Sequence, residues 1–252
     1  MLKKRVIPIL LYKNNSLVKG KQFNSNRIIG SVISSIKLFN NRQVDELIFI
    51  DINSTTNNII NFNLINEISK FCSFPLTVGG GIKSLNDIKQ LLQNGADKVC
   101  INTSAYSNPN FIKEAVAMYG SQCIIISIDV KKIDNEYICF SNSGTVQTEY
   151  NLLSWLTIVN TFNVGEILIT SIDNEGMMNG YDIELIKLVQ NNVNISVIAS
   201  GGCSSYNDML QVFNNTDISA VCASSIFHFT QCTPKLAKEY LKKNNINVRR
   251  IF

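Results

Sequence analysis

The sequence predicts a single (β/α)8 TIM barrel over residues 1–252, built as two related half-barrels. Three observations carry this: eight apolar strand-like runs, helical stretches between them, and a repeat relating the two halves of the chain. The runs cover residues 5–11, 46–51, 76–78, 98–102, 123–129, 166–170, 196–200 and 220–223. Most are nearly continuous in Ile, Val and Leu rather than alternating, as parallel strands buried on both faces require.

Taken in order, the first run leads into a long segment, residues 12–29, that can close over the barrel end as a lid. The third run opens into Gly79-Gly80-Gly81 and a helical pattern over 85–94, and the fourth into Asn102-Thr103 and a helix over 110–119. The fifth ends at Asp129, ahead of a helix over 150–162, and the sixth precedes a helix over 183–191. The seventh opens into Gly201-Gly202 and the eighth into Ser224-Ser225. Strands separated by helices define βαβ units and a parallel sheet. One barrel takes about 250 residues, and no Pro- or Gly-rich linker divides the chain, so eight units close into one domain rather than two.

The repeat has an offset of about 121 residues. Pro75-Leu-Thr-Val-Gly-Gly-Gly-Ile-Lys-Ser84 resembles Ser196-Val-Ile-Ala-Ser-Gly-Gly-Cys-Ser-Ser205, and Glu46-Leu-Ile-Phe-Ile50 resembles Glu166-Ile-Leu-Ile-Thr170. Lys98-Val-Cys-Ile-Asn-Thr103 likewise matches Ala220-Val-Cys-Ala-Ser-Ser225. Glycines directly after a strand let the backbone approach a ligand and leave N–H groups free to face an anion. In barrels phosphate commonly sits after strands seven and eight at the C-terminal face. The duplication therefore predicts two phosphate sites, Gly80 and Gly81 with Asn102 and Thr103, and Gly201 and Gly202 with Ser224 and Ser225. A small molecule with a phosphate at each end is the natural ligand.

Composition removes several other classes. The net charge of +4 is spread along the chain, with no basic stripe interleaved with aromatics, so no nucleic acid is expected. Seven cysteines form no C-x-x-C pair and sit mostly in apolar runs, which reads as reduced core cysteine in a cytoplasmic protein. The apolar run after Lys3, Lys4 and Arg5 is short, contains Pro8 and lacks a small-residue cleavage site, so it is no signal peptide. No apolar stretch approaches the roughly 18 residues of a membrane span. His228 is the only histidine, which excludes histidine metal sites and Ser–His–Asp hydrolysis, and its Phe-His-Phe setting reads as structural. No Walker loop or dinucleotide fingerprint is present, and neither cofactor nor metal is expected.

Distinctive strings run through the chain in order: Leu2 to Arg5 with Ile7-Pro8, Val18-Lys19-Gly20, Asp45-Glu46-Leu47, Pro75 to Gly81, Gly95-Ala96-Asp97-Lys98, Ile101-Asn102-Thr103, Gly120-Ser121-Gln122-Cys123, Gly180-Tyr181-Asp182, Ile198 to Gly202 and Phe227-His228-Phe229. With these the chain resembles, over essentially its whole length, the cyclase subunit of imidazole glycerol phosphate synthase, a lyase. The resemblance implies a heterodimer with a glutaminase whose ammonia passes through the barrel. At the C-terminal face the ammonia meets a bis-phosphorylated ribonucleotide, which is cleaved and cyclised to imidazole glycerol phosphate, releasing an aminoimidazole carboxamide ribonucleotide. It implies two aspartates as general acid and base, at the ends of the first and fifth strands. Asp129 matches the second of these. Aligning the halves sets Arg5 to Lys13 over Cys123 to Lys131, so Leu11 stands where the first-strand aspartate belongs, and leucine can neither give nor take a proton.

The resemblance also implies a substrate site that includes Lys19, Thr170 and Gly176. Here Glu175 precedes that glycine and Met177 follows it, where the family usually has aspartate and threonine. A ring of charges guarding the ammonia entrance is implied at Arg5, Glu46, Lys98 and Glu166, with Asp97 at the glutaminase contact. Kept gate residues beside a lost acid point to a paralogue, and the chain is similar to family members that help make acetamidino groups on surface-polysaccharide sugars. Three alternatives stay open: an authentic cyclase of histidine biosynthesis, a barrel that only activates its glutaminase, and a related sugar-phosphate isomerase.

Overall fold

Eight parallel strands close into a barrel in the computed structural model, which describes residues 3–57 and 59–249; Leu2, at the head of the first matched string, lies outside them. In chain order the strands are β1 (Arg5–Lys13), β2 (Ser16–Lys21), β3 (Asn24–Gly30), β4 (Leu47–Asp51), β5 (Leu76–Gly79) and β6 (Lys98–Ile101). They continue as β7 (Ile124–Ile133), β8 (Glu136–Ser141), β9 (Val146–Asn151), β10 (Glu166–Ser171), β11 (Ser196–Ser200) and β12 (Ala220–Ala223). The barrel runs β1-β4-β5-β6-β7-β10-β11-β12, and parallel pairing of β12 with β1 closes it. The two-layer burial explains the continuous apolar runs. Ile7, Ile9, Ile48, Ile125, Leu168 and Ile198 fill the interior, while their sequence neighbours Val6, Leu10, Leu47, Ile124, Ile167 and Val197 pack outward under the helices.

The helices are α1 (Val32–Asn41), α2 (Ile52–Asn57), α3 (Phe62–Ser69), α4 (Leu85–Gln93), α5 (Thr103–Ser107) and α6 (Pro109–Tyr119), followed by α7 (Leu152–Val159), α8 (Ile183–Asn192), α9 (Tyr206–Asn215), α10 (Ser225–Phe229) and α11 (Pro234–Lys243). The half-barrel repeat reaches their caps. Ser84 with Asp87 starts α4, and Ser205 with Asp208 starts α9, each as a reciprocal capping box. No helix among the described residues is long and apolar enough to cross a membrane.

Two features differ from the sequence expectation. Segment 12–29 is an ordered antiparallel ribbon, β2 and β3, continuing from β1. Its counterpart, β8 and β9, continues from β7, and β9 takes Tyr150 and Asn151 from the expected helix, so that Asn151 instead caps α7. Both ribbons turn on two residues with positive φ, Asn14-Asn15 (49° and 60°) and Asp134-Asn135 (47° and 65°). Such pairs match the twist of a hairpin, and Asn and Asp tolerate that backbone better than other side chains.

At the N-terminal end, Lys238 of α11 reaches Asp45 Oδ1 at 2.9 Å, and Asp45 Oδ2 accepts the Val6 amide at 3.0 Å. Both side chains are buried. Removing one member of such a pair strands the other charge, which costs about 3–5 kcal/mol. Asp45→Ala should therefore lower the unfolding free energy from urea melts by that amount, and a loss under about 1 kcal/mol, as for an exposed pair, would show that the pair is screened.

Candidate functional site

The barrel offers chemistry at both ends. At the N-terminal end Arg5, Glu46, Lys98 and Glu166 form a closed ring of alternating charge. Arg5 donates to Glu46 Oε1 at 2.8 Å and also to Glu166, while Lys98 Nζ stands 3.1 Å from Glu46 Oε2 and 2.6 Å from Glu166 Oε2. Arg249 adds a fifth contact, 3.2 Å from Glu46 Oε1. Arg5, Glu46 and Glu166 are buried, so these are not the weak exposed pairs of a protein surface. Burial alone would raise the Glu166 carboxyl, but the charges of Arg5 and Lys98 outweigh it and hold it below its ordinary value. Asp97 is exposed just before β6 and accepts the Leu76 amide at 2.8 Å.

At the C-terminal end a cavity of ≈ 790 Å³ is lined by Leu11, Lys19, Gly80, Gly81, Asn102, Thr103, Asp129 and Thr170, among others. The β7–β10 register sets Asp129 beside Thr170. Asn102 Nδ2 donates to Asp129 Oδ2 at 3.1 Å, and the Ser127 hydroxyl lies 3.5 Å from Oδ1. Burial pushes the Asp129 carboxyl up to about 7, against the hydroxyls of Thr170 and Ser127, which pull it down. Leu11 stands in the same cavity wall, paired with Ile50 of β4 and Val18 of β2. Asp51, which the sequence reading left unassigned, is not part of that wall. Its carboxylate accepts the Ser54 hydroxyl at 2.7 Å and the Asn53 amide at 3.0 Å, fastening the start of α2.

Two glycine turns take up equivalent places in the two halves. Gly80 has φ +110°, and a Cβ there would lie 2.1 Å from the Asp51 carbonyl oxygen. Gly202 has φ +96°, and a Cβ would lie 2.0 Å from the Gly180 carbonyl oxygen. Neither position tolerates a side chain. Gly201, Gly202, Ser224, Ser225 and Gly176 line a second, small recess. The Ser224 hydroxyl is buried there with no hydrogen-bond partner in the structure. Met177 is not part of the recess wall, whereas Met178 is.

All the site residues read from the sequence thus fall into three places: the ring with neighbouring Asp97, the cavity, and the recess. Sequence reasoning missed Glu175 as the partner of Lys19, to which it is bonded across 156 positions. It also missed the ribbon residues Phe23, Asn142 and Thr145 in the cavity wall. The Asn14-Asn15 and Asp134-Asn135 turns were the available signal for the ribbons. His228 packs edge-on to Phe39 with ring centroids 6.1 Å apart, and burial holds its imidazole down at about 4.

Fold and geometry together define a class, the duplicated (β/α)8 barrels with matching glycine turns after barrel strands three and seven. The comparisons make the assignment specific. A family described as "Histidine biosynthesis protein" matches residues 5–233. The chain is 40% identical over 252 residues to the imidazole glycerol phosphate synthase subunit HisF of Staphylococcus carnosus, covering 99% of each chain. It is 40% identical over 250 residues to the HisF subunit of Chlorobaculum tepidum, with 99% of this chain and 100% of the relative covered. It is 41% identical over 249 residues to a Campylobacter jejuni protein provisionally named imidazole glycerol phosphate synthase subunit hisF2, covering 99% of each. The chain belongs to the family of the cyclase subunit of imidazole glycerol phosphate synthase.

The raised carboxyl of Asp129 has a consequence for stability. Between its ordinary value of 3.8 and about 7 it is protonated in the fold but ionised in the unfolded chain. Folding takes up a proton in that window, so stability falls as pH rises through it and levels off above. Asp129→Asn removes the effect. The variant's unfolding free energy minus that of the wild type should grow from pH 4 to pH 7 at up to about 1.4 kcal/mol per pH unit. Urea melts across that range check this, and a constant difference would place the carboxyl near its ordinary value.

Proposed function

We propose that this barrel receives ammonia from a glutaminase partner at its N-terminal face and directs it to an acceptor in the C-terminal cavity without completing the cyclisation itself. The role that fits is acetamidino modification of surface-polysaccharide sugars. One contrast carries the proposal: the charge ring is complete, while Leu11 stands across from a lone Asp129. General acid–base work on a ring closure needs a proton given and a proton taken, and a pair of carboxyls with separated pKa values does this most directly. The interior between the two ends is mainly apolar, with Ile7, Ile48, Ile125 and Leu168 and two cysteines, Cys100 and Cys222, beside the buried Thr77. Such a lining suits neutral ammonia and disfavours ammonium. The relatives are named as subunits of an imidazole glycerol phosphate synthase, which supports the glutaminase-coupled assembly, and the name hisF2 on one of them fits a paralogue.

One observation favours the authentic cyclase of histidine biosynthesis instead. A carboxyl near 7 can both give and take a proton at neutral pH, so Asp129 could serve in both roles. The two readings separate in cyclisation of the bis-phosphorylated ribonucleotide with saturating ammonium, which bypasses the partner. Loss of one acid or base costs on the order of 10² to 10⁴ in rate. Wild type is therefore expected to be inert or nearly so, and Leu11→Asp to gain by a factor in that range. Robust wild-type turnover that Asp129→Asn abolishes would establish the cyclase instead.

A further inference from the structure

The large apolar side chains that face solvent are unevenly placed. Ile28, Ile59, Val146, Met177 and Phe229 all stand on segments that follow barrel strands, at the C-terminal end, whereas Leu38, Met118, Leu153 and Leu236 sit one to a helix around the outside. Single exposed side chains need no explanation, but a concentration at one end marks an interaction surface. The β2–β3 ribbon ties most of this set together. Ile28, 73% exposed, lies on its outer strand β3, which pairs with β2 alone. Beside it the Arg27 guanidinium stacks 3.9 Å from the centre of the Phe229 ring. The Gln22 side chain donates to the Asp173 carbonyl at 2.9 Å and its amide to the Glu175 carbonyl at 2.7 Å, which fastens the loop that carries Met177. At the β1–β2 turn the Asn14 side chain accepts from the Asn53 side chain at 3.0 Å, which joins α2, just ahead of Ile59.

Charge sorts the two ribbons. Residues 12–30 contain Lys13, Lys19, Lys21 and Arg27 and no acid. Lys19 is buried against Glu175, while Lys21 and Arg27 are exposed. The β8–β9 ribbon, which carries Val146, instead exposes Asp134, Glu136 and Glu149 beside Lys131 and Lys132, and Lys132 already faces Glu184 at 3.5 Å. An anionic surface is therefore attracted by the first ribbon and not by the second. On the basic side Ile28, Ile59, Met177 and Phe229 project from four separate segments, and none of them lines the cavity or the recess. A protein partner needs a continuous surface of matching shape. A fluid bilayer takes up separate apolar side chains wherever they project, while flanking Lys and Arg meet its headgroups. Arg27 suits that role, since a guanidinium can stack on a ring and still offer its outer N–H groups to a phosphate.

We infer that the chain docks peripherally on an anionic lipid bilayer through the β2–β3 ribbon and the segments fastened to it. Ile28, Ile59, Met177 and Phe229 enter the headgroup layer, and Lys21 and Arg27 meet lipid phosphates. The mouth of the barrel then faces the bilayer and the charge ring points away from it. Attachment of this kind needs no spanning helix, and none among the described residues is long and apolar enough to be one. The inference holds whichever acceptor the cavity takes, so it stands or falls apart from the function proposed above.

Co-sedimentation of the full chain with vesicles tests it, phosphatidylcholine alone against phosphatidylcholine mixed with phosphatidylglycerol. The chain should pellet with the mixed vesicles only, and rising sodium chloride should release it. Arg27→Glu should weaken binding about tenfold or more, because it removes a cation and adds an anion. Ile28→Ser should weaken it about fivefold through lost apolar burial. Met118→Ser on α6 and Lys243→Glu on α11, both exposed and away from the ribbon, should each change it by less than about twofold, since distant charges are screened. Equal binding to both vesicles overturns the inference, and so does binding to neither, which leaves the surface to a protein partner. Equal losses from Lys243→Glu and Arg27→Glu overturn it too, because net charge alone would then explain the binding. A concentration-dependent dimer in sedimentation velocity that Ile28→Ser dissolves would assign the surface to a second copy of the chain and overturn it as well.

Discussion

Barrel closure at β1 is the constraint on which the rest depends. This strand pairs with β12 through Arg5 to Pro8 and with β4 through Ile9 to Tyr12, so one strand spans from the floor of the barrel to its mouth. Side chains alternate along it, and the inward set is Arg5, Ile7, Ile9 and Leu11. A charge at the bottom, two apolar layers and the residue in the cavity wall are therefore one arithmetic series. A slip of one residue would turn all four outward at once, removing Arg5 from its ring and Leu11 from the cavity together.

The ring itself is not explained by stability. Buried ion pairs repay their desolvation only with good geometry, and apolar replacements of similar volume are often neutral or better. Four inward charges at one level of a barrel filled mainly by Ile, Leu and Cys are an expensive way to plug a hole. They make sense as a floor that is polar, closed and held by side chains rather than by backbone. A plug of that kind can rearrange without disturbing the strands beneath it.

Most of the barrel could be read from the sequence because its strands are buried on both faces and so advertise themselves as unbroken apolar runs. The glycine turns were legible for a similar reason: a Cβ at Gly80 or Gly202 would collide with a carbonyl oxygen, leaving glycine as the one residue that fits. The β2–β3 and β8–β9 ribbons were not legible. Their outer strands are exposed, with β3 mostly solvent-facing, so burial imposes no pattern on Asn24–Gly30 or Val146–Asn151. The Leu11 position followed from aligning the two halves, which works because β1 and β7 do equivalent work. Glu175 lay beyond such reasoning: its importance comes from a contact with Lys19 that only the folded ribbon creates.

At the C-terminal face the cavity that holds Asp129 also carries Leu11 in its wall. Leu11 brings no carboxyl to that level, so no like charge acts on Asp129 from there. A second carboxylate close by would raise its pKa further by like-charge repulsion. As it stands, burial alone drives the value to about 7, and the Thr170 and Ser127 hydroxyls oppose it. The cavity thus sets the raised carboxyl of Asp129 in one space with the apolar side chains of Ile9, Leu11 and Ile50. At the same level, Glu175 neutralises the ribbon's buried cation internally. At the floor of the barrel every charge of the ring finds its partner. The two ends of the barrel are thus chemically unlike, a buried carboxyl raised by desolvation at the mouth and a fully paired charge ring at the floor, joined through a mainly apolar interior.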